Sequence, residues 1–353
     1  MDTALTARPR YLLHAQGVDW IGQRTLLDGD TLFNDVILLP APFFEHQEAL
    51  SRFPHEFRAT PGVTRDSETL LIEPVREADI IRIDEPVVAL TSTEARNYGS
   101  WLFRILPKLL LLEGDLAHVP GPRALFLPQE ASWMREIVSH FAPGRRVVAQ
   151  DITRRYHLSD VVAPSLPAPS NIFPPQVTGA LASARHNLPP TPFGRRIYVS
   201  RRQWSEAVGR RVLEDEPALV EALARDGIQE VVPESLTLPQ RMAAFAGADL
   251  IVGPTGSGLF NVVFARPGAR VLEIEPHAKW RSMHAALYRS LGLDCGFVRG
   301  HVTGPGSGPD HPAWNVDVPS VVQAARAFAR WRHSSLRSTT TPSPDIEKST
   351  TNP

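Results

Sequence analysis

Between residues 196 and 274 the chain alternates short apolar runs with helix-type patterns, and this alternation limits the fold more than any other feature. Residues 196–200, 228–232, 250–252 and 270–274 read as strands. Residues 216–226 and 238–246 read as the helices between them, with Ser235 or Thr237 placed to cap the second. Strands separated by helices pair in parallel through right-handed crossovers. Ligands of such sheets collect at the carboxyl ends of the strands. The stretch 248–261 is the most informative part. An apolar strand runs into a turn holding Gly253, Gly256 and Gly258, and residues 259–265 then read as the first turns of a helix. Glycine lets the backbone approach a ligand, and the free N–H groups of a helix start suit an anion.

The first half is organised differently. Residues 1–90 carry several strand fragments, at 11–13, 35–39, 69–72 and 86–90, separated by turn chemistry. Residues 94–112 read as one helix that Pro107 should kink. Asn97, Ser100, Trp101 and Arg104 are spaced by three and four, so they share one face of it. Strands at 124–127, 146–149 and 160–163 and a helix at 132–141 restore the α/β rhythm. Residues 164–192 are proline-rich and read as a linker with one helix near 176–185. Residues 299–312 read as a loop and 318–332 as a final helix. The expected division is a β-rich part at 1–90, an α/β unit at 91–185, a second α/β unit at 190–332 and a disordered Ser/Thr/Pro-rich tail at 334–353.

Composition narrows the function classes. With 353 residues, 42% hydrophobic and 21% charged, the chain can build two ordinary cores. A net charge of −1 supplies no global field for nucleic acid, so no nucleic-acid partner is expected. One cysteine, Cys295, excludes an internal disulfide framework. The first ten residues lack an apolar signal core, and no stretch approaches the roughly 20 apolar residues that span a bilayer. A cytoplasmic protein is expected, with room for peripheral contact with a membrane or a polysaccharide-assembly complex. The 12 histidines show no His-x-x-x-His or His-x-His spacing, so no metal and no bound cofactor is expected.

Three groups of side chains should converge on the carboxyl edge of the second sheet. The first is the glycine turn, with Gly253, Thr255, Gly256, Ser257, Gly258 and the following Asn261. The second is Arg201 and Arg202 at a strand end, with Arg211 shortly after; guanidinium forks match phosphate oxygens. The third is Glu273 and Glu275, which strand alternation puts on one side. A carboxylate there can accept from a ribose or sugar hydroxyl; the alternative is that one of the two is simply exposed.

These pieces resemble glycosyltransferase family 61, the capsular-polysaccharide type. The resemblance rests on Asn-Tyr-Gly-x-Trp-Leu-x-x-Ile-Leu-Pro-Lys at 97–108, Arg-Arg-Ile-Tyr-Val-Ser-Arg-Arg at 195–202 and Arg-Arg-Val-Leu-Glu-Asp-Glu at 210–216. It continues through Val-Val-Pro-Glu-Ser-Leu-Thr-Leu-Pro-Gln-Arg at 231–241, the glycine turn at 248–261 and Pro-Gly-Ala-Arg-Val-Leu-Glu-Ile at 267–274. It implies a GT-B-like α/β architecture, two Rossmann-like domains with parallel sheets facing a cleft. The implied reaction is inverting, metal-independent transfer of a sugar from a nucleotide-sugar co-substrate to a glycan hydroxyl. The donor would lie against the C-terminal unit, and the acceptor against Asn97, Tyr98, Ser100, Trp101 and Arg104. The family pattern usually has His where Ser100 stands, Asp where Arg104 stands and His where Thr255 stands. Two explanations remain. The base has moved, with Glu94, Asp249, Glu275 and His277 as candidates, or the chain binds a nucleotide sugar or glycan without transferring it.

Overall fold

The computed structural model describes residues 12–28, 31–34, 63–65, 70–72, 76–92, 94–165, 172–202, 212–277, 281–305 and 312–331. The expected strand at 35–39 and the tail at 334–353 lie outside the described residues. The strands are β1 Leu12–Ile21, β2 Thr25–Asp28, β3 Thr31–Asn34, β4 Val63–Arg65, β5 Leu70–Ile72, β6 Ile80–Ile83 and β7 Val87–Ala89. They continue with β8 Ala124–Pro128, β9 Val147–Gln150, β10 Arg155–Pro164, β11 Arg196–Val199, β12 Gln229–Val231, β13 Leu250–Pro254, β14 Arg270–Glu275, β15 Asp294–Arg299, β16 His301–Gly304 and β17 Ala313–Asn315.

Two sheets form the frame. The second is all parallel, in the order β12-β11-β13-β14-β15. Its central strand β13 is buried along its whole length, which is why it reads as an unbroken apolar run in the sequence. The first sheet is mixed, and this corrects the expectation of two parallel sheets. β6, β7, β8 and β9 belong to parallel pairings, but β1 and β10 pair antiparallel over their lengths, and β2 and β3 extend that antiparallel part. The residues 160–163 seen as a strand in the sequence are the end of the 10-residue β10. The loop expected at 299–312 is corrected at its start: Arg299 ends β15, and His301–Gly304 form β16, which pairs antiparallel with β17.

The helix expected at 94–112 is built in three pieces. Asn97 caps an opening turn at Tyr98–Ser100 by accepting from the Ser100 N–H. Trp101–Ile105 is π-helical, closed by the Leu106 N–H donating to the Trp101 carbonyl. The α-helix Leu106–Leu116 follows, with Pro107 in its first turn. Proline is tolerated there because its missing N–H would have no helical partner. The irregularity therefore takes the form of a widened turn ahead of Pro107 rather than a kink at it. Such turns re-aim side chains and recur at functional sites.

The two sheets share one hydrophobic cluster. Leu125, Leu127 and Val162 of the first sheet and Ile197, Val199 and Ile251 of the second belong to it, with Trp101, Leu102, Leu106, Phe245, Val263 and Phe264 among the residues between them. Polar contacts cross the same boundary. Glu136, on the helix Ser132–Phe141, accepts from the Leu238 N–H and pairs with Arg241 at 2.6 Å, which caps the helix Leu238–Gly247 from the other half. Thr237 stands at the N-cap of that helix, the second of the two residues expected there.

Candidate functional site

The glycine turn lies where the parallel sheet places it, at the carboxyl end of β13. Gly256 has a φ of 149°, a conformation open to glycine and strained for other residues. The Arg201 side chain from the end of β11 reaches over it. Arg201 Nη1 donates to the Thr255 carbonyl at 2.6 Å, and a Cβ built on Gly256 would lie 2.5 Å from that nitrogen. The predicted meeting of guanidinium and glycine turn is therefore present. Thr255 is buried, and its N–H donates to the Ile274 carbonyl of β14. Arg202 follows, half-buried, and Arg211 lies outside the described residues.

The anion-site argument changes in one respect. The segment after the turn is a short 3₁₀ helix, Leu259–Phe264, not the α-helix expected from its apolar pattern. Its helix dipole therefore contributes little. The N–H groups of Leu259, Phe260 and Asn261 are taken by the carbonyls of Gly256, Ser257 and Gly258. Among the described residues no acceptor is paired with the N–H groups of Gly256, Ser257 and Gly258. Successive N–H groups of this kind, beside an arginine, are what a phosphate requires.

The turn also touches the opening of the first-half helix. Ser257 Oγ donates to Asn97 Oδ1 at 3.3 Å. The Tyr98 hydroxyl donates to Asn261 Oδ1 at 2.6 Å, and Asn261 Nδ2 returns a bond to the Gly258 carbonyl at 2.8 Å. Burial pushes the Tyr98 hydroxyl up to about 12, so it remains a donor at neutral pH. The Arg241 guanidinium lies over the Tyr98 ring, 5.4 Å from its centre. The two predicted groups, one on each half, are thus brought together along one seam.

On the first-half side of that seam Ser100 Oγ donates to Glu94 Oε2 at 3.3 Å, and Arg104 Nη1 donates to Ser100 Oγ at 2.5 Å. Arg104 also pairs with Glu94 at 3.6 Å. Trp101 corrects the sequence expectation of an acceptor-binding side chain. It is fully buried, its Nε1–H donates to the Ala95 carbonyl, and its ring packs edge-on against Trp133.

Several other expected positions are also corrected. Glu273 and Glu275 do fall on one side of β14, but neither is exposed. Glu273 accepts from the Tyr288 hydroxyl at 2.7 Å and pairs with His284 Nδ1 at 2.9 Å, so its oxygens are used inside the fold. Glu275 pairs with Arg281 at 2.6 Å, and burial raises its carboxyl although Arg281 opposes that shift. Asp249 precedes β13 and forms a two-pronged pair with Arg195, which puts it at the opposite edge of the sheet from the turn. It cannot act at this site. His277 follows β14, and its Nε2 has no hydrogen-bond partner among the described residues.

Two carboxylates were missed as site residues. Glu216 is buried and accepts at Oε1 from the Tyr198 hydroxyl, Ser200 Oγ and the Arg201 N–H, which fixes the backbone from which Arg201 projects. Glu234 follows β12, and its Oε1 lies 3.9 Å from where a Cβ on Gly258 would sit. Its side chain is exposed to solvent. Even so, partial burial raises its carboxyl above the ordinary value of 4.5, with Arg201 and Arg241 pulling the other way. A carboxyl raised by folding favours the fold most below its ordinary pKa, and that contribution is lost as pH rises through the raised value. Glu234→Gln is therefore expected to flatten the fall in melting temperature between pH 4 and neutrality. An unchanged pH profile would show that folding does not raise the Glu234 carboxyl.

Residues 98–272 match the family model Glycosyltransferase 61, which supports assigning this segment to that family. No curated protein matches the chain. Among the described residues no helix is long and apolar enough to cross a membrane.

Proposed function

With a glycosyltransferase 61 match spanning the glycine turn and the helix it touches, we propose that this chain transfers a sugar from a nucleotide-diphosphate donor to a glycan hydroxyl. The reading is of a GT-B-like enzyme with an acceptor side at 91–185 and a donor side at 190–332. Transfer is inverting and metal-independent, in surface or capsular polysaccharide synthesis, at or near the inner face of the membrane. The carrying observation is the bond from Ser257 to Asn97, which joins the turn to the opening of the first-half helix. A donor diphosphate on Gly256, Ser257 and Gly258 beside Arg201 would then face an acceptor placed by Asn97 and Ser100. Arginine and backbone N–H groups supply the charge stabilisation for a diphosphate leaving group.

A nucleotide-sugar- or glycan-binding protein without transfer is the second reading. It is favoured by Ser100 and Thr255, whose hydroxyls are not bases at neutral pH. A thermal-shift panel of nucleoside diphosphates and nucleotide sugars tests the donor site. A ligand at 100 times its dissociation constant stabilises the fold by about 2.7 kcal/mol. A shift with no member of the panel would remove the donor assignment. A shift with a nucleotide sugar, but no turnover against glycan extracts, would favour the second reading.

A further inference from the structure

Glu94 is held in an uncommon conformation at the edge of the candidate site. Its φ is 53°, one of two positive values among the described non-glycine residues. Such a value is uncommon outside glycine, asparagine and aspartate. Buried anchors hold the loop on either side of it. Lys108, almost fully buried, donates from Nζ to the Thr91 carbonyl at 2.8 Å. Both backbone polar groups of Ala95 are held, its N–H by Gln23 Oε1 at 2.9 Å and its carbonyl by Trp101 Nε1 at 2.8 Å. The Asn97 N–H closes the turn on the Glu94 carbonyl. The Glu94 side chain itself is 61% exposed. The anchored backbone at Ala95 and Asn97 thus presents an open carboxylate, and Ser100 Oγ and Arg104 hold it from one side. Ser100 and Asn97 connect it to Ser257: the Ser100 N–H and Ser257 Oγ both donate to Asn97 Oδ1.

Resting on the transfer reading, we propose that Glu94 is the base that accepts the acceptor's proton, with Ser100 and Arg104 as positioning residues. The acceptor O–H proton passes to the Glu94 carboxylate. The acceptor oxygen bonds to the anomeric carbon of the donor sugar. The bond from that carbon to the diphosphate oxygen breaks, and its electron pair leaves with the nucleoside diphosphate. Water in place of the acceptor gives donor hydrolysis by the same steps, so the assay needs no identified acceptor.

The test uses the full chain with uridine, guanosine and thymidine diphosphate sugars, following release of nucleoside diphosphate and, separately, nucleoside diphosphate binding. Glu94→Gln is expected to lower hydrolysis roughly 100-fold or more, the lower end of what a positioned base supplies. Nucleoside diphosphate affinity should stay within about twofold, because the donor side is untouched. Glu94→Asp should recover part of the rate, and Ser100→Ala should lower kcat less than Glu94→Gln does. Glu94→Gln turning over at the wild-type rate would overturn the proposal and leave the transfer reading standing. Loss of nucleotide binding together with turnover would also overturn it, since the role of Glu94 would then be structural. Failure of the wild-type chain to bind or turn over any of these donors would overturn the transfer reading, and the proposal with it.

Discussion

Glu216→Ala is expected to lower the unfolding free energy by about 3 kcal/mol or more, the range for removing one partner from a buried charged network. Glu216 is 1% exposed, and one of its oxygens accepts from the Tyr198 hydroxyl, Ser200 Oγ and the Arg201 N–H. Alanine leaves those three donors without this acceptor. Glu216→Gln keeps an acceptor oxygen without the charge and should cost no more than about 1 kcal/mol. Both variants also differ from wild type in pH dependence. Burial raises the Glu216 carboxyl above its ordinary value of 4.5, against the pull of its three donors and Arg201. Its contribution is therefore complete below that ordinary value and is lost as pH rises through the raised one. Glu216→Gln removes this slope. Denaturant midpoints at acid and neutral pH measure both effects, and an alanine variant within 1 kcal/mol of wild type would refute the role given to Glu216.

Gly99→Ala is expected to destabilise the fold although alanine is the better helix former. In an open helix the exchange would gain up to about 1 kcal/mol. Here the turn carrying Gly99 presses on the 3₁₀ helix of the other half. A Cβ at Gly99 would lie 2.8 Å from Phe260 Cδ2 and 3.2 Å from Asn97 Oδ1. The Phe260 ring has little room to retreat, since Phe103 packs against it at 4.4 Å and His284 at 4.9 Å. Overpacking of this kind costs about 1–3 kcal/mol, with Gly99→Leu at or beyond the top of the range. The damage falls on the seam, so donor binding should weaken with stability. A Gly99→Ala chain melting above wild type would show that the two halves do not meet here as described.

How much of this was legible in the sequence depended on burial. β8 and β13 read correctly because strands with parallel neighbours on both sides are apolar almost end to end, and β14 read from Val271, Leu272 and Ile274. β1 showed only its first residues, because its ten positions follow no strict alternation of buried and exposed. The helix Arg281–Ser290 went unread, with only His284, Leu287 and Tyr288 buried along it. Parallel-sheet geometry correctly located the glycine turn and Arg201. It could not show that Glu273 turns inward to Tyr288 and His284, since that depends on a helix the sequence did not reveal. Glu234 was invisible for a different reason. Nothing local separates it from a loop carboxylate until β12 ends beside Gly258. Glu94 was a candidate by residue type alone, and its backbone conformation and anchors could only come from the fold.

The transfer reading needs a donor diphosphate held by the Gly253–Gly258 turn and Arg201. Running the thermal-shift panel on wild type and Arg201→Met, which keeps much of the side-chain bulk but removes the guanidinium, tests it most directly. At least one nucleoside diphosphate should raise the wild-type melting temperature, and the same ligand should bind Arg201→Met at least about tenfold more weakly, a loss of about 1.4 kcal/mol. Equal shifts in the two proteins, or no shift in wild type, would contradict the account.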